Sequence, residues 1–182
     1  MDIEQLKTLI KQGESPSLEF KSSIADIHAA FATICAFLNQ QGGTVLIGVK
    51  NEGQIIGQEV NDKTRQEIAR EIKRIEPAAD INVDYIHISA DRFVIALGTR
   101  RGHHIPYIYH GRPYERTESS TSIMSQHRYE QLIIKRGQLI HDWEAQHTEE
   151  CNVDLLDYEE IRRTVKQGVD KNRIGVEVLN YD

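Results

Sequence analysis

Residues 34–49 of the chain read ICAFLNQQGGTVLIGV and join its two most apolar segments. Apolar residues recur at helical spacing over 25–41 and predict a helix. The run 44–49 is continuously apolar, as in a central strand that is covered on both faces. Between them, Gly42 and Gly43 indicate a tight connection, because the order helix, glycines, strand is the reverse of a phosphate-binding loop.

Shorter elements are predicted on both sides of this helix and strand. In chain order they are a helix over 2–11 capped by Asp2, a strand over 17–21, a hairpin partner over 54–56, a helix over 62–75, a hairpin of strands over 81–88 and 92–97, short strands over 107–110 and 113–116, and a helix over 126–136 ended by Gly137. The mixture predicts an α+β fold in which helices pack on one mixed β-sheet.

Composition is that of an ordinary globular protein. The 182 residues are 39% hydrophobic and 27% charged, which suffices to bury a core. The sequence contains no run of 18 apolar residues that would span a membrane, and its first residues do not resemble a secretory signal. The two cysteines, Cys35 and Cys151, are too few for a disulfide framework or a zinc cage, so a cytoplasmic location is expected.

The net charge of −6 is unevenly distributed along the chain. Basic and acidic residues balance over 1–140, whereas 141–182 carries 5 Lys and Arg against 11 Asp and Glu. This predicts a domain over 1–140 and, over 141–182, an acidic linker anchored by Trp143 and a helix that opens at Leu156 and ends at residue 167. Within 98–137 the balance reverses to 7 basic against 3 acidic residues, as expected of a face that meets nucleic acid.

Residues 99–124 interleave basic, aromatic and hydroxyl side chains. Arginines and hydroxyls can contact phosphates, and tyrosines can stack on bases. The candidate binding residues of this stretch are Arg100, Arg101, His103, Tyr107, Arg112, Tyr114, Arg116, Ser119, Ser120 and Thr121. The alternative is a solvated hairpin whose tyrosines pack on the sheet. In the binding interpretation all four arginines are expected to be exposed.

A second candidate site lies around the first predicted strand. Glu19 and Lys21 are two residues apart on this strand, so their side chains point to the same face, and Glu14 lies on the loop just before it. Two carboxylates and a lysine can hold a divalent cation and position a phosphodiester, whereas the alternative is a surface ion pair. His28 is interpreted as a polar-edge residue of the long helix rather than a ligand.

In this order, the segments resemble the Schlafen-type AlbA domain, a divergent AlbA family of nucleic-acid-binding proteins found in bacteria and in animal Schlafens. The resemblance covers roughly residues 5–137 and rests on Glu14 with Glu19-Phe20-Lys21, the block 36–49, Gly53-x-Ile55-Ile56-Gly57, Pro113-Tyr114-x-Arg116 and Ser119-Ser120-Thr121. It implies a compact α+β fold that binds DNA or RNA, as the N-terminal module of a longer bacterial regulator or helicase-related ATPase. Residues 141–175 resemble the segment that follows this domain in long bacterial members.

Some animal members of the family resemble metal-dependent endoribonucleases, and their two glutamates match Glu14 and Glu19. Their third acid falls where this chain has Lys50-Asn51, which leaves Glu52 as the candidate substitute. A second departure is Glu118, where the family usually has glycine. Since a lysine would face the cation, Lys50 is expected to pair with one of the two glutamates or to bind phosphate, and cleavage is expected to be weak or absent.

Three functions are therefore weighed. The leading one is a DNA- or RNA-binding module that needs no cofactor. The alternative is a nuclease that uses Glu14, Glu19 and Lys21 with Mg²⁺ or Mn²⁺. The third is a regulatory or oligomerisation domain whose sheet edges pair with a second copy. A downstream domain of the same polypeptide is also expected, because the apolar stub over 176–179 would pack on it.

Overall fold

The computed structural model describes residues 1–141, 157–171, 173 and 175, and the chain divides into two compact units, Met1–Ile140 and His141–Asp182. Its elements are α1 (Ile3–Ile10), β1 (Leu18–Lys21), α2 (Ile27–Asn39), β2 (Gly42–Ile47), β3 (Gln58–Glu59), α3 (Asp62–Ile72), β4 (Ile75–Glu76), β5 (Asn82–Ser89), β6 (Arg92–Arg100), β7 (Ile108–Tyr109), β8 (Arg112–Thr117), β9 (Ser120–Ile123), α4 (Gln126–His141) and α5 (Tyr158–Asp170). A short 3₁₀ turn, Ile24–Asp26, precedes α2. The predicted α+β class is confirmed.

The first sheet has five strands and is mixed. β1 runs parallel to β2 because α2 connects them as a crossover, whereas β2, β3 and β5 are antiparallel to β6. Val45 and Ile47 of β2 pack with α2 on one face, and Leu46 packs with Leu6 of α1 on the other. The prediction of a central strand covered on both faces is confirmed.

The second sheet is antiparallel, with the order β4-β7-β8-β9. A single mixed sheet was predicted, and this part of the prediction is wrong. The strands of the second sheet are short, from two to six residues, and mostly polar. Their hydrophobic pattern is therefore too weak to predict a separate sheet. β9 in particular was not predicted.

Helix α2 lies between the two sheets and contacts β2 and β6 of one and β7 and β8 of the other. Eleven of its 13 residues are buried, which is the pattern of a helix enclosed by protein. One of them is Cys35, and burial raises the pKa of its thiol to about 12. This thiol belongs to the core and is not a nucleophile at neutral pH.

The C-terminal end of α2 holds the second sheet through two side-chain amides. Asn39 donates from Nδ2 to the carbonyl oxygens of Tyr107 and Tyr114, each at 2.9 Å, and its Oδ1 accepts from the Tyr107 N–H at 2.6 Å. Gln40 pairs with both backbone groups of Arg116, at 3.1 and 2.8 Å. These contacts satisfy buried backbone groups that have no strand partner at this edge.

Several predicted boundaries shift in the structure. The helix begins at Ile27 and ends at Asn39, and Gly42 and Gly43 already belong to β2. A Cβ on Gly42 would lie 2.7 Å from the Thr99 carbonyl oxygen, so the close approach of β6 requires glycine there. Gly137 was predicted to end the last helix of the first unit, but α4 continues through it to His141.

In the second unit the structure describes α5, whose N-terminus is capped by the Asp157 carboxylate accepting two backbone N–H hydrogen bonds. The predicted helix is confirmed and extends to Asp170 rather than ending at residue 167. The linker with Trp143, the helix start at Leu156 and the stub over 176–179 lie outside the described residues. None of the helices in the described part of the chain is long and apolar enough to cross a membrane.

Candidate nucleic-acid interface

A groove of about 640 Å³ opens beside the C-terminal end of β6. Its basic wall is formed by Arg100, Arg101, His103 and His104, and Leu38 and the buried Tyr107 lie beneath it. The four basic and imidazole side chains are all exposed. The structure therefore brings four of the predicted binding residues to this groove: Arg100, Arg101 and His103 are exposed on its wall, and Tyr107 is buried beneath them.

The loop that carries these residues is anchored from below. The Gly102 N–H donates to the Leu38 carbonyl oxygen at 2.9 Å, and the His104 N–H donates to the Tyr107 hydroxyl at 3.3 Å. A Cβ on Gly102 would lie 2.1 Å from the Tyr107 ring, so glycine allows the loop to rest on the aromatic side chain. Two hydrogen bonds and this contact hold the basic residues over the groove.

The positive charges of the groove are available to a ligand, because Asp80, the acidic residue that also lines it, forms no ion pair with them in the described part of the chain. In the part of the chain that the structure describes, Arg100, Arg101 and Arg112 form no ion pair and no side-chain hydrogen bond, whereas Arg116 and Arg128 are both paired. Exposed guanidinium groups without a carboxylate partner are suited to phosphate oxygens, which they can bind through two parallel N–H groups. Arg112 lies on β8 and does not line the groove.

The tyrosines of this stretch do not serve as an open stacking surface. Tyr107 is 3% exposed and Tyr109 is 2% exposed, and both belong to the hydrophobic core, while Tyr114 is half-buried against the same core. The alternative interpretation, in which the tyrosines pack on the sheet, is correct for these residues. Tyr107 supports the binding loop instead of stacking on a base.

Arg116 is buried, so the expectation that it is exposed is wrong. Its guanidinium donates to the Ser15 carbonyl oxygen at 2.9 Å, to Glu19 Oε2 at 2.7 Å and to Thr121 Oγ1 at 3.0 Å. It also lies over the Phe37 ring, 5.3 Å from the centroid. Arg116 is thus a structural link between β8 and β1 and cannot reach a phosphate from this position.

The second candidate site is largely neutralised by its own cations. Glu19 is 8% exposed, and its Oε1 pairs with Lys21 while its Oε2 pairs with Arg116. Glu14 accepts the Phe20 N–H at 3.0 Å. A divalent cation would have to displace two positive side chains from Glu19, so this donor set does not suit Mg²⁺ or Mn²⁺.

Lys50 lies apart from these glutamates. Its Nζ is 3.9 Å from Glu52 Oε1, and in the described chain it pairs with neither Glu14 nor Glu19. The predicted pairing with one of these two glutamates is therefore wrong, and phosphate binding by Lys50 stays a prediction. Glu52 does not join the two glutamates in a three-ligand group within the described residues. The third acidic position is therefore not restored by a neighbouring side chain.

Comparison with known proteins identifies the family. A family model described as Schlafen, AlbA_2 matches residues 14–125, more than half of the 182-residue chain. The chain belongs to the Schlafen AlbA_2 family. No curated protein matches it. The resemblance drawn from the sequence motifs is confirmed.

Solved structures similar to this Schlafen AlbA_2 chain include two from bacteria. One is the DIP2311 protein of Corynebacterium diphtheriae, with 18% identity, a TM-score of 0.49, and coverage of 71% of this chain and 27% of that one. Another is the N-terminal domain of a RecG-related protein of Nitrosomonas europaea, with 19% identity, a TM-score of 0.47, and coverage of 67% and 95% respectively. The chain thus spans about a quarter of the DIP2311 protein.

Glu118, where the family usually has glycine, lies in a backbone conformation that favours glycine. Its φ is +56° in the turn between β8 and β9, which is left-handed backbone. Ser119 and Ser120 are exposed beside it, whereas the Thr121 hydroxyl is engaged by Thr33 at 2.9 Å and by Arg116. The hydroxyl stretch comprises the end of this turn, Ser119, and the first two residues of β9, and it does not line the groove.

Most of the other residues that line the groove were not predicted as site residues, among them the acidic Asp80. His104 and Asn82 both line the groove, and Asn82 faces Gly98 across the β5–β6 hairpin. The hairpin was predicted, so extending its register by one residue beyond Leu97 would have placed Asn82 beside the basic loop. His104 follows His103 directly, and both line the groove because a loop, unlike a strand, can present adjacent side chains to one surface.

Proposed function

We propose that this Schlafen AlbA_2 domain binds DNA or RNA through the groove beside the end of β6. The observation that carries the proposal is the pair of exposed arginines, Arg100 and Arg101, which lack a carboxylate partner in the described chain and stand at one groove with His103 and His104. The family is related to nucleic acids, which supports this choice of ligand.

The expected binding mode follows from the chemistry of the groove. Guanidinium groups on an anchored loop contact phosphates, so affinity depends on salt through counterion release and depends little on sequence. The buried tyrosines offer no open ring for base stacking, which removes one usual source of preference for single strands. Asn82 at the rim supplies an amide that can donate and accept hydrogen bonds.

The same observations favour binding over cleavage. Metal-assisted phosphodiester cleavage needs carboxylates that are free to coordinate the cation. The Glu19 carboxylate has one oxygen paired with Lys21 and the other with Arg116, and Glu14 is engaged by a backbone N–H. We therefore propose a module without its own hydrolytic chemistry. Its place beside a regulatory, helicase or ATPase domain, which the family resemblance implies, stays a prediction.

A gel-retardation experiment tests this function. The full chain is titrated against tRNA, single-stranded DNA and double-stranded DNA, with EDTA and with Mg²⁺ or Mn²⁺, and each gel is read for both retardation and cleavage. We expect retardation of at least one nucleic acid in EDTA, and intact nucleic acid in every lane.

Two double variants each remove two positive charges, one pair at the groove and the other pair on α5. Arg100→Gln with Arg101→Gln should weaken retardation by at least tenfold, because both arginines stand at the groove. Arg162→Gln with Arg163→Gln on α5 should leave it within about twofold, because these arginines do not line the groove. If the Arg100→Gln, Arg101→Gln variant retards nucleic acid as well as the wild-type chain does, the interface does not lie at this groove. If the wild-type chain cleaves nucleic acid in the presence of Mn²⁺, and Glu14→Ala and Glu19→Ala abolish this cleavage, the domain is a nuclease and the proposal is wrong.

A further inference from the structure

We propose that His28, Glu71 and His110 form a binding site for a zinc-type transition-metal cation. The three residues come from α2, α3 and the turn between β7 and β8, and one ligand atom of each lies within 4.8 Å of the other two. The site is distinct from the groove and from the Glu14–Glu19 region, and the proposal does not depend on nucleic-acid binding.

The distances match the dimensions of a tetrahedral zinc site. His28 Nδ1 and His110 Nε2 are each 3.5 Å from Glu71 Oε2. When a zinc ion is bound at about 2.0–2.2 Å by nitrogen and oxygen ligands, neighbouring ligand atoms of the tetrahedron are about 3.3–3.6 Å apart. Two of the three edges therefore have the required length before any movement.

The carboxylate is fixed in place by its neighbours. The Glu71 side chain is 4% exposed, and its Oε1 accepts a hydrogen bond from Arg74 at 2.7 Å. The Tyr109 hydroxyl donates to Oε2 at 2.6 Å. A carboxylate oxygen has more than one lone pair, so Oε2 can still face a cation. Such hydrogen bonds from outer residues are what orient ligands at metal sites.

The two imidazoles present nitrogen atoms toward this carboxylate. His28 Nδ1 is also 3.0 Å from the Tyr109 hydroxyl, and because that hydroxyl donates to Glu71, the Nδ1–H donates to the hydroxyl oxygen. A cation bound at Nδ1 would replace this proton, and the ring would keep its proton on Nε2.

Arg74 Nη1 is 3.1 Å from His110 Nε2, and because a guanidinium group only donates, Nε2 accepts this hydrogen bond through its lone pair. The same Nη1 also donates to Glu71 Oε1, so a cation at His110 Nε2 would displace the Arg74 guanidinium from both residues. The Arg74 side chain is 40% exposed and can turn to solvent, and the Tyr109 hydroxyl would then be the group that orients Glu71. His110 has φ +49° in its turn, and its ring lies against that of Tyr109 with 4.5 Å between the ring centroids.

The ligand set selects the class of cation. Two imidazole nitrogens and one carboxylate oxygen suit Zn²⁺, Co²⁺ or Ni²⁺, whereas Mg²⁺ prefers an octahedron of oxygens. Three protein ligands leave a fourth position open for solvent. Both imidazoles are accessible, since the side chains of His28 and His110 are 66% and 45% exposed, so a cation can enter without unfolding of the domain.

Metal titration of the full chain tests the site. After treatment with EDTA and its removal, Zn²⁺ is added in a calorimeter, and Co²⁺ is added in parallel while visible absorption is recorded. We expect one equivalent of Zn²⁺ and visible Co²⁺ bands typical of four or five ligands. Nuclear magnetic resonance of the imidazole nitrogens should show zinc-dependent shifts at His28 Nδ1 and His110 Nε2.

Paired histidine variants provide the control. His28→Gln with His110→Asn should weaken Zn²⁺ binding by at least about 100-fold, because even outer-shell substitutions cost 10- to 100-fold. His103→Gln with His104→Gln removes two exposed histidines elsewhere and should change affinity by less than about threefold. His28→Gln alone, at a largely exposed side chain, preserves the fold and should also lose the cobalt bands.

Either of two results would overturn the proposal. One is a wild-type chain that takes up no stoichiometric Zn²⁺ and shows no visible Co²⁺ bands. The other is zinc affinity that survives in the His28→Gln, His110→Asn variant but falls in the His103→Gln, His104→Gln variant, since the cation would then be bound at the groove.

Discussion

Replacing Arg116 by methionine should lower the free energy of unfolding of the first unit by about 3–5 kcal/mol. The guanidinium is buried and holds the Glu19 carboxylate at 2.7 Å and the Ser15 carbonyl at 2.9 Å. Methionine fills similar space but leaves both acceptors without this donor. Removing one partner of a buried ion pair costs about 3–5 kcal/mol because the other charge stays buried and is poorly compensated.

Urea unfolding followed by far-ultraviolet circular dichroism at pH 7 measures this loss. Arg112→Met is the matched control, because Arg112 lies on the same strand, β8, and is exposed, so its loss should stay within about 0.5 kcal/mol. In the Arg116→Met, Glu19→Met double variant the losses should fall short of additive by about 0.5–3 kcal/mol. A loss below about 1 kcal/mol in Arg116→Met would refute the reasoning.

Three further predictions concern the core and the glycines. Phe31→Ala should lower the unfolding free energy by about 2–5 kcal/mol in the same urea assay, because the ring is fully buried. Gly43→Ala should lower it by about 1–3 kcal/mol, since the new Cβ would lie 2.6 Å from the Ser17 carbonyl oxygen, while Gly137→Ala, in open space on α4, should raise it by about 0.5–1 kcal/mol. Burial raises the pKa of the Cys35 thiol from 9.0 to about 12, so between these pH values the thiol ionises in the unfolded chain but not in the folded one. The free energy of unfolding should therefore fall as the pH rises from 9 toward 12, and it should fall less in Cys35→Ala.

The elements that the sequence predicts well are those whose hydrophobic pattern is strong and local. Helix α2, strand β2 and the β5–β6 hairpin all follow from apolar spacing over a few residues, and the structure contains each of them. The basic loop over Arg100 and Arg101 was likewise predicted, because a cluster of like charges next to a strand end is visible in the sequence.

What the sequence does not reveal depends on distant pairings. Arg116 is buried because it meets Glu19, which is 97 residues away in the chain, and no local pattern distinguishes it from an exposed arginine. The second sheet is held by amide groups of Asn39 and Gln40 that bind backbone atoms of β8 and its neighbours. Likewise, the ligand group centred on Glu71 joins three separate elements and has no sequence spacing that would indicate it.

The salt dependence of nucleic-acid affinity tests the central claim most directly. Fluorescence anisotropy with a labelled single strand gives the slope of log K against log salt concentration for the wild-type chain and for the Arg100→Gln, Arg101→Gln variant. Each lost phosphate contact should reduce the slope by about 0.7, so the variant should be shallower by about 1.4, while Arg162→Gln with Arg163→Gln keeps the wild-type slope. An unchanged slope and affinity in the groove variant would contradict the proposed interface.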